Sequence, residues 1–508
     1  VCPEPTGRFK IPSMLTGFPV TGIGDCAFKN YSGLTGVTIP NGVTSIGDGA
    51  FKGCSGLRSV TIPNGVTRID ARAFLGCSGL TSVTIPAGVR SIGDLTFKDC
   101  SGLMNVTIPA DVTSIGKWAF RGCSGLTGVT IPNSVTSIGE MAFRGCSGLT
   151  SVTIPVGVTG IGDGAFSYCN GLTGVTIPNG VTSIGDGTFL GCSGLTSVTI
   201  PNGVTSIGDG AFLGCSGLTS VTIPNGVTNI GDLTFKDCSG LTSVTIPAGV
   251  TNIGFMAFSG CSSLVDMTIP DGVTSIGGRA FEDCICLTNV TISGSVMCIG
   301  DGWMSQLFPG CRNLMAVTIL DGTQSIGDYV FDDCIGLTSV TIPSSVTNIG
   351  GRAFNGCSSL TNIVVDSGNL YYSSRNGLLL NKDGSELLWG VVNGDIEIPV
   401  CVRWIGDGAF GGCAGLTNIT VDSGNPYYSS RNGLLLNKNG SGLHRGVNGD
   451  VEIPVGVRWI GDRAFEGCSG LTNVTIPYGV TSIGSGAFSG CSGLTSVTIP
   501  NGVTSIGD

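Results

Sequence analysis

Cys-Ser-Gly-Leu-Thr-Ser-Val-Thr-Ile-Pro-Asn-Gly-Val-Thr-Ser-Ile-Gly-Asp-Gly-Ala-Phe-Leu-Gly, read from Cys192 to Gly214, decides the fold, because it recurs with little change along almost the whole chain. The period is 23 residues: cysteines stand at Cys54, Cys77, Cys100 and on at equal steps to Cys284, then at Cys311, Cys334, Cys357, Cys413, Cys468 and Cys491. With Tyr31 in the column position of the first full unit, the count is 18 units. A fixed period of this length marks a solenoid, whose units bury their apolar faces only by stacking on one another. The 508 residues therefore read as one repeat array and not as several globular domains.

Within a unit, Leu195, Val198 and Ile200 stand at i, i+3 and i+5, the spacing of a short strand with inward apolar residues, and Ser197 and Thr199 face out. Pro201-Asn202-Gly203 is turn chemistry, and Val204 and Ile207 form a second inward pair. Asp209 is placed to cap a single helical turn that carries Ala211 and Phe212 inward. The expected fold is a β-rich solenoid, a rod of about 18 coils with short strands and one-turn helices.

Two segments break the period. The column cysteines flanking them lie 56 and 55 residues apart, so each adds 33 or 32 residues. Leu378 to Leu388 reads as strand, tight turn, strand, which predicts two β-hairpin modules, at 366–399 and 422–454. The remaining divisions are an N-terminal segment and first partial coil at 1–30, regular repeats at 31–365, one coil at 400–421 and C-terminal repeats at 455–508. A smaller insertion around Trp303, Met304, Ser305 and Gln306 is expected to be a local bulge or loop.

Composition excludes several function classes. The chain carries 24 Lys and Arg, 34 Asp and Glu, and one histidine, His444. A charged fraction of 11% is far below the roughly 25% of ordinary soluble chains. Triads and histidine-rich metal sites lack their vocabulary. The mean hydropathy of +0.38 is high, yet Gly, Pro or polar residues interrupt every apolar run well before the roughly 18 residues a spanning helix needs. A net charge of −10 disfavours nucleic acid and anionic membranes.

The pattern Leu-x-x-Val-x-Ile-Pro-x-x-Val-x-x-Ile-Gly-x-x-Ala-Phe-x-x-Cys-x-x-Leu resembles the BspA-like (Treponema pallidum type) leucine-rich repeat, from about Gly22 to Asp508. The two insertions strengthen the likeness, since both contain Asp-Ser-Gly-Asn-x-Tyr-Tyr-Ser-Ser-Arg-Asn-Gly-Leu-Leu-Leu-Asn-Lys. The resemblance implies a cell-surface or secreted protein acting in adhesion to host or matrix proteins and in coaggregation.

Each candidate chemistry has a structural counterpart. Column cysteines in neighbouring coils would lie roughly 5 Å apart, close enough for disulfides, but the favoured reading is a ladder of small, buried, inert thiols. Cys2 and Cys26 are a candidate disulfide at the N-terminal end. The outward column from Thr38 through Thr107 to Thr245 suits ice binding, or simply wets a strand face without charge. Asp48, Asp94, Asp163, Asp186, Asp209 and Asp232 suit either calcium or turn capping. Tyr371, Tyr372, Tyr427 and Tyr428, with Trp389 in one module and His444 at the matching place in the other, are the candidate contact residues; the alternative is that they cover the hairpin roots. Asn30, Asn105, Asn289, Asn418, Asn439 and Asn473 head glycosylation triplets.

The chain starts at Val1 and stops at Asp508, within a repeat. Either more repeats follow or the open end stacks on another molecule, which would generate a head-to-tail filament. No catalytic residue, cofactor or metal is expected. The leading expectation is a non-enzymatic extracellular or cell-surface scaffold, adhesive and self-assembling; the alternative is a monomeric binding module gripping a host or matrix protein or glycan through its tyrosine-rich insertions.

Overall fold

The computed structural model of the protein describes residues 6–300, 306–390, 393–406, 408–411 and 415–508. It is a parallel β-solenoid of about 21 turns with a period near 23 residues. The count exceeds the 18 units read from the cysteine column and Tyr31 because the insertion segments contribute turns that carry no column residue. The small insertion at Trp303 to Ser305 lies outside the described residues. Two compact units are present, Val1–Leu264 and Val265–Asp508.

In the first unit, strands such as Asn105–Thr107 and Gly128–Thr130 pair in parallel, with Asn105 opposite Gly128, Val106 opposite Val129 and Thr107 opposite Thr130. Alternation sends Val106 inward and leaves Asn105 and Thr107 exposed. A second ladder joins Ser91–Ile92 to Ser114–Ile115, with each isoleucine buried. The Pro-Asn-Gly corner is closed by Val204 N–H donating to the Pro201 carbonyl at 3.1 Å. Of the inward set, Leu195, Val204, Ala211, Phe212 and Cys215 are fully buried, and Val198 is half-buried.

The third side of the coil is not the expected helical turn. Among the described residues there is no helix; the Asp-Gly-Ala-Phe segment is a run of turns. Its N–H groups alternate. Ala211, Leu213 and Cys215 donate to carbonyls three residues earlier, at 3.3, 3.0 and 3.1 Å, whereas Gly210, Phe212 and Gly214 donate to Asp232, Thr234 and Lys236 of the following coil, at 2.8, 2.9 and 2.8 Å. The physical reason is a left-handed residue between Asp and Ala, Gly210 with φ +58°, which an α-helix does not accommodate. The coils are thus joined by three hydrogen-bonded ladders, and the third is built from turns.

This ladder also corrects the capping role. The Asp186 carboxylate does not cap its own turn; its Oδ1 accepts the backbone N–H of Asp209 in the next coil at 2.9 Å, and Asp209 does the same for Asp232 at 2.8 Å. The glycine before each aspartate makes room. A Cβ on Gly208 would meet Asp186 Oδ1 at 2.3 Å and Asp186 N at 2.8 Å, so the recurrent glycine of Ile-Gly-Asp answers a close-packing requirement between coils.

Side chains stack as the backbone does. From Phe28 to Phe258 each phenylalanine ring lies 5.1 to 5.8 Å from the next, within 13° of parallel. The second unit repeats the motif from Phe281 through Phe308 and Phe331 to Phe354.

Candidate binding surface

The insertion modules are themselves coils. Tyr372–Arg375, Leu378–Asn381 and Glu386–Trp389 form an antiparallel three-stranded sheet, whose last strand runs parallel to Trp404–Ile405 with Leu387 opposite Ile405. Leu387 therefore occupies the place of the repeat isoleucine. Asn393–Ile398 then supplies the next strand, paired in parallel with Gly415–Val421. The second module repeats this, with Leu443 opposite Ile460 and Val451 opposite Val474.

Each module is seated by one buried asparagine. Asn369 is fully buried; its Nδ2 donates to the Pro343 and Val346 carbonyls at 2.9 Å each, and its Oδ1 accepts from the N–H groups of Tyr371 and Tyr372 at 2.8 Å each. Asn425 makes the same four bonds, to Pro399, Val402, Tyr427 and Tyr428. An amide offers two donors and an acceptor at one point, and a buried amide is stable only when they are used. Sequence reasoning passed over both residues, although the shared Asp-Ser-Gly-Asn carried them.

The six candidate contact residues separate by exposure. Tyr371 and Tyr427 are open, at 52% and 47%. Tyr372 is half-buried, and its hydroxyl oxygen accepts the Ile349 N–H at 2.9 Å, standing in for the strand carbonyl that the inserted hairpin displaces. Tyr428 is buried and donates to the Arg403 carbonyl at 3.3 Å. Trp389 is buried edge-on against Phe354. His444 faces solvent between the rings of Tyr428 and Trp459, at 5.4 and 5.0 Å; partial desolvation lowers its imidazole below the ordinary 6.5.

The matching of Trp389 with His444 requires correction. Leu379 pairs with Trp389 and Leu435 with Arg445, so Trp389 corresponds to Arg445 and His444 to Leu388. A one-residue slip along a strand reverses its faces. Both members of the true pair point inward. Arg445 stacks over Phe410 and donates to the carbonyls of Arg463 and Glu466 at 3.1 and 2.8 Å.

The structure adds two exposed aromatics, Trp404 at 70% and Tyr478 at 89%. Trp404 was readable: Arg-Trp-Ile-Gly places tryptophan where the repeat has its outward serine.

The remaining columns resolve as follows. Each column thiol described from Cys54 to Cys261 is free and donates to the carbonyl of a phenylalanine 26 residues earlier, as Cys146 does to Phe120 at 3.2 Å. Burial pushes these thiols up, Cys192 and Cys238 to about 12. Cys26 is exposed, and Cys2 lies outside the described residues. Thr107, Thr130 and Thr153 are exposed and in register. Among the described residues no three Asp, Glu, His or Cys side chains converge as metal ligands, and no helix is long and apolar enough to cross a membrane.

The family described as BspA type leucine rich repeat region matches residues 21–146, 119–242, 183–306, 230–361, 303–376, 393–431 and 448–508. Similar solved structures include a leucine-rich repeat protein from Bacteroides ovatus, 24% identical over 96% of this chain and 85% of that one, with a TM-score of 0.45. A leucine rich cell surface protein from Faecalibacterium prausnitzii is 31% identical over 61% of this chain and 87% of that one, with a TM-score of 0.37. The T. pallidum leucine rich repeat protein is 29% identical over 42% and 77%, with a TM-score of 0.25. No curated protein compared with the chain matches it.

Proposed function

The chain belongs to the BspA type leucine-rich repeat family, and from that membership we propose that it is a non-enzymatic extracellular or cell-surface scaffold that acts in adhesion. The contact surface is formed by the insertion coils. One observation carries this reading: the two insertion coils duplicate one construction, down to the asparagine that seats them, and each presents an open tyrosine, Tyr371 and Tyr427. Exposed aromatic rings held on a rigid frame are typical interface anchors. Trp404 is exposed and stands opposite Glu386 on the strand that pairs with the first insertion. The partner class is a host or matrix protein or a glycan. Replacing Tyr371, Tyr427 and Trp404 with Ala should abolish binding to an immobilised panel of matrix proteins and glycans while thermal unfolding stays unchanged; binding equal to that of the unaltered chain refutes the reading.

Self-association is a second reading, favoured by the outward Thr and Ser columns of the first unit, which solvate a strand face with little charge and so with little repulsion between copies. Sedimentation velocity at rising concentration tests it; a constant monomer coefficient rules it out.

A further inference from the structure

In the first unit, the residue that follows a stacked phenylalanine reaches the surface at Lys98, Arg121 and Arg144, each half-buried, and is buried where it is serine, at Ser167 and Ser259. Every charged residue at that position in this unit is a cation: Lys29, Lys52, Lys98, Arg121, Arg144 and Lys236. Three of them, Lys98, Arg121 and Arg144, fall in consecutive coils. The rings they follow stack 5.4 Å apart from Phe97 to Phe120 and 5.3 Å apart from Phe120 to Phe143, so three like charges rise from adjacent coils and repel.

The protein meets such charge differently elsewhere. In the second unit the same position holds Glu282 and Glu466, each paired within its own turn, to Arg279 at 3.4 Å and to Arg463 at 3.8 Å. In the triplet only Lys98 has an acidic neighbour, Asp99 at 3.7 Å. The adjoining carboxylates are engaged: Glu140 with Lys117 at 3.3 Å, and Asp94 and Asp163 with backbone N–H groups of the following coils. Aromatic rings carry the cations instead. Lys98 and Arg121 lie over Trp118 at 5.8 and 5.7 Å, and Arg144 over Tyr168 at 5.0 Å. Ring faces hold a cation in place without neutralising it; Arg144 Nη1 also donates to the Met141 sulfur at 3.7 Å, but a thioether carries no charge, so both guanidinium groups keep theirs for an anion.

We propose that Lys98, Arg121 and Arg144, backed by Trp118 and Tyr168, form a binding site for a linear acidic polysaccharide. The ring selects the ligand class: cations beside an exposed aromatic side chain suit an anionic chain that also brings sugar rings to pack on it. Tyr168 is 42% exposed and offers an edge for a sugar ring. This site shares no residue with the insertion coils, so it stands apart from the adhesion surface proposed above.

The test uses the full chain on immobilised heparin, a sulfated polysaccharide, with poly-glutamate as the competing polyanion. The unaltered chain should bind heparin at low salt in spite of its net charge of −10, and binding should weaken as salt rises. The R121Q/R144Q chain, whose stems keep their packing, should bind about tenfold more weakly or worse, while K52Q should bind as the unaltered chain does. Unchanged unfolding temperatures establish that both variants are folded. Absence of binding by the unaltered chain, equal loss in K52Q, or no loss in R121Q/R144Q overturns the proposal. Tighter binding to poly-glutamate than to heparin overturns it in favour of an acidic protein segment.

Discussion

Cys100 donates its thiol to the carbonyl of Phe74 at 3.1 Å, and the same oxygen accepts the Cys77 backbone N–H at 3.1 Å. The column cysteine is therefore a side-chain rung between coils, and it satisfies the second lone pair of a buried carbonyl. Replacing Cys100 with Ala removes the thiol packing and that bond, and should destabilise the array by about 1–2 kcal/mol. Urea unfolding followed by circular dichroism measures the loss.

Alkaline conditions act on the whole column. Burial raises Cys192 and Cys238 from 9.0 to about 12, so the folded state favours the protonated thiol more than the unfolded chain does. The stabilisation is complete below pH 9 and falls between about pH 9 and 12, as the unfolded chain releases protons that the folded one retains. Cys192 and Cys238 should each cost the fold on the order of 1 kcal/mol per pH unit in that window. Unfolding temperatures measured from pH 8 to 10.5 should drop steeply. A thiol reagent at pH 8 should label Cys26, Cys286, Cys298 and Cys401, and the half-buried column thiol Cys491, long before the buried column thiols.

Glycines of the repeat differ in what they permit. Gly208→Ala would set a methyl 2.3 Å from Asp186 Oδ1 and 2.8 Å from its backbone nitrogen, and should destabilise by about 1–3 kcal/mol through overpacking. Gly160→Ala meets nothing within 4 Å, and should change stability by about 0.5 kcal/mol or less. Paired thermal melts of the two variants check the contrast.

The Tyr372 hydroxyl receives the Ile349 N–H at 2.9 Å. Tyr372→Phe leaves that backbone donor without its acceptor and should destabilise by about 1–3 kcal/mol. Hydrogen exchange at Ile349 should accelerate, while that of Ile326, whose coil lies before the hairpin, should stay as it is.

The inward columns were fully legible, because a period of 23 residues repeated many times leaves one way to place Leu195, Ile200, Val204 and Phe212. The helical turn was misread because the left-handed position between Asp and Ala is not reserved for glycine: Arg72, Leu95 and Trp118 occupy it with φ of 57°, 58° and 57°. Asp209 was recognised as a cap, but spacing along one coil cannot tell that its acceptor serves the next. The Trp389 to His444 matching failed on one residue. The modules read Gly-Val-Val-Asn and Gly-Val-Asn from Gly390 and Gly446, so the length difference falls after the strand and leaves its faces in step. The cation triplet carries no motif and emerges only when residues 23 apart are brought side by side; the seating asparagines stood in the shared Asp-Ser-Gly-Asn, but their buried partners lie in the preceding coil, 23 and 26 residues earlier.

The alternating ladder of the turn segment has a direction. Gly210, Phe212 and Gly214 are donors whose acceptors, Asp232, Thr234 and Lys236, lie 22 residues further on. Chains emerge from the ribosome N-terminus first, so each newly made turn waits with half its N–H groups in water until its successor is translated. In the opposite sense, Thr205 N–H and Gly208 N–H reach back to Thr182 and Ile184, at 2.9 Å each. Every coil is thus laid onto a finished edge on one side and itself completes that edge on the other, so the stack has a chemical direction: the face a coil turns to its successor is not the face it turns to its predecessor.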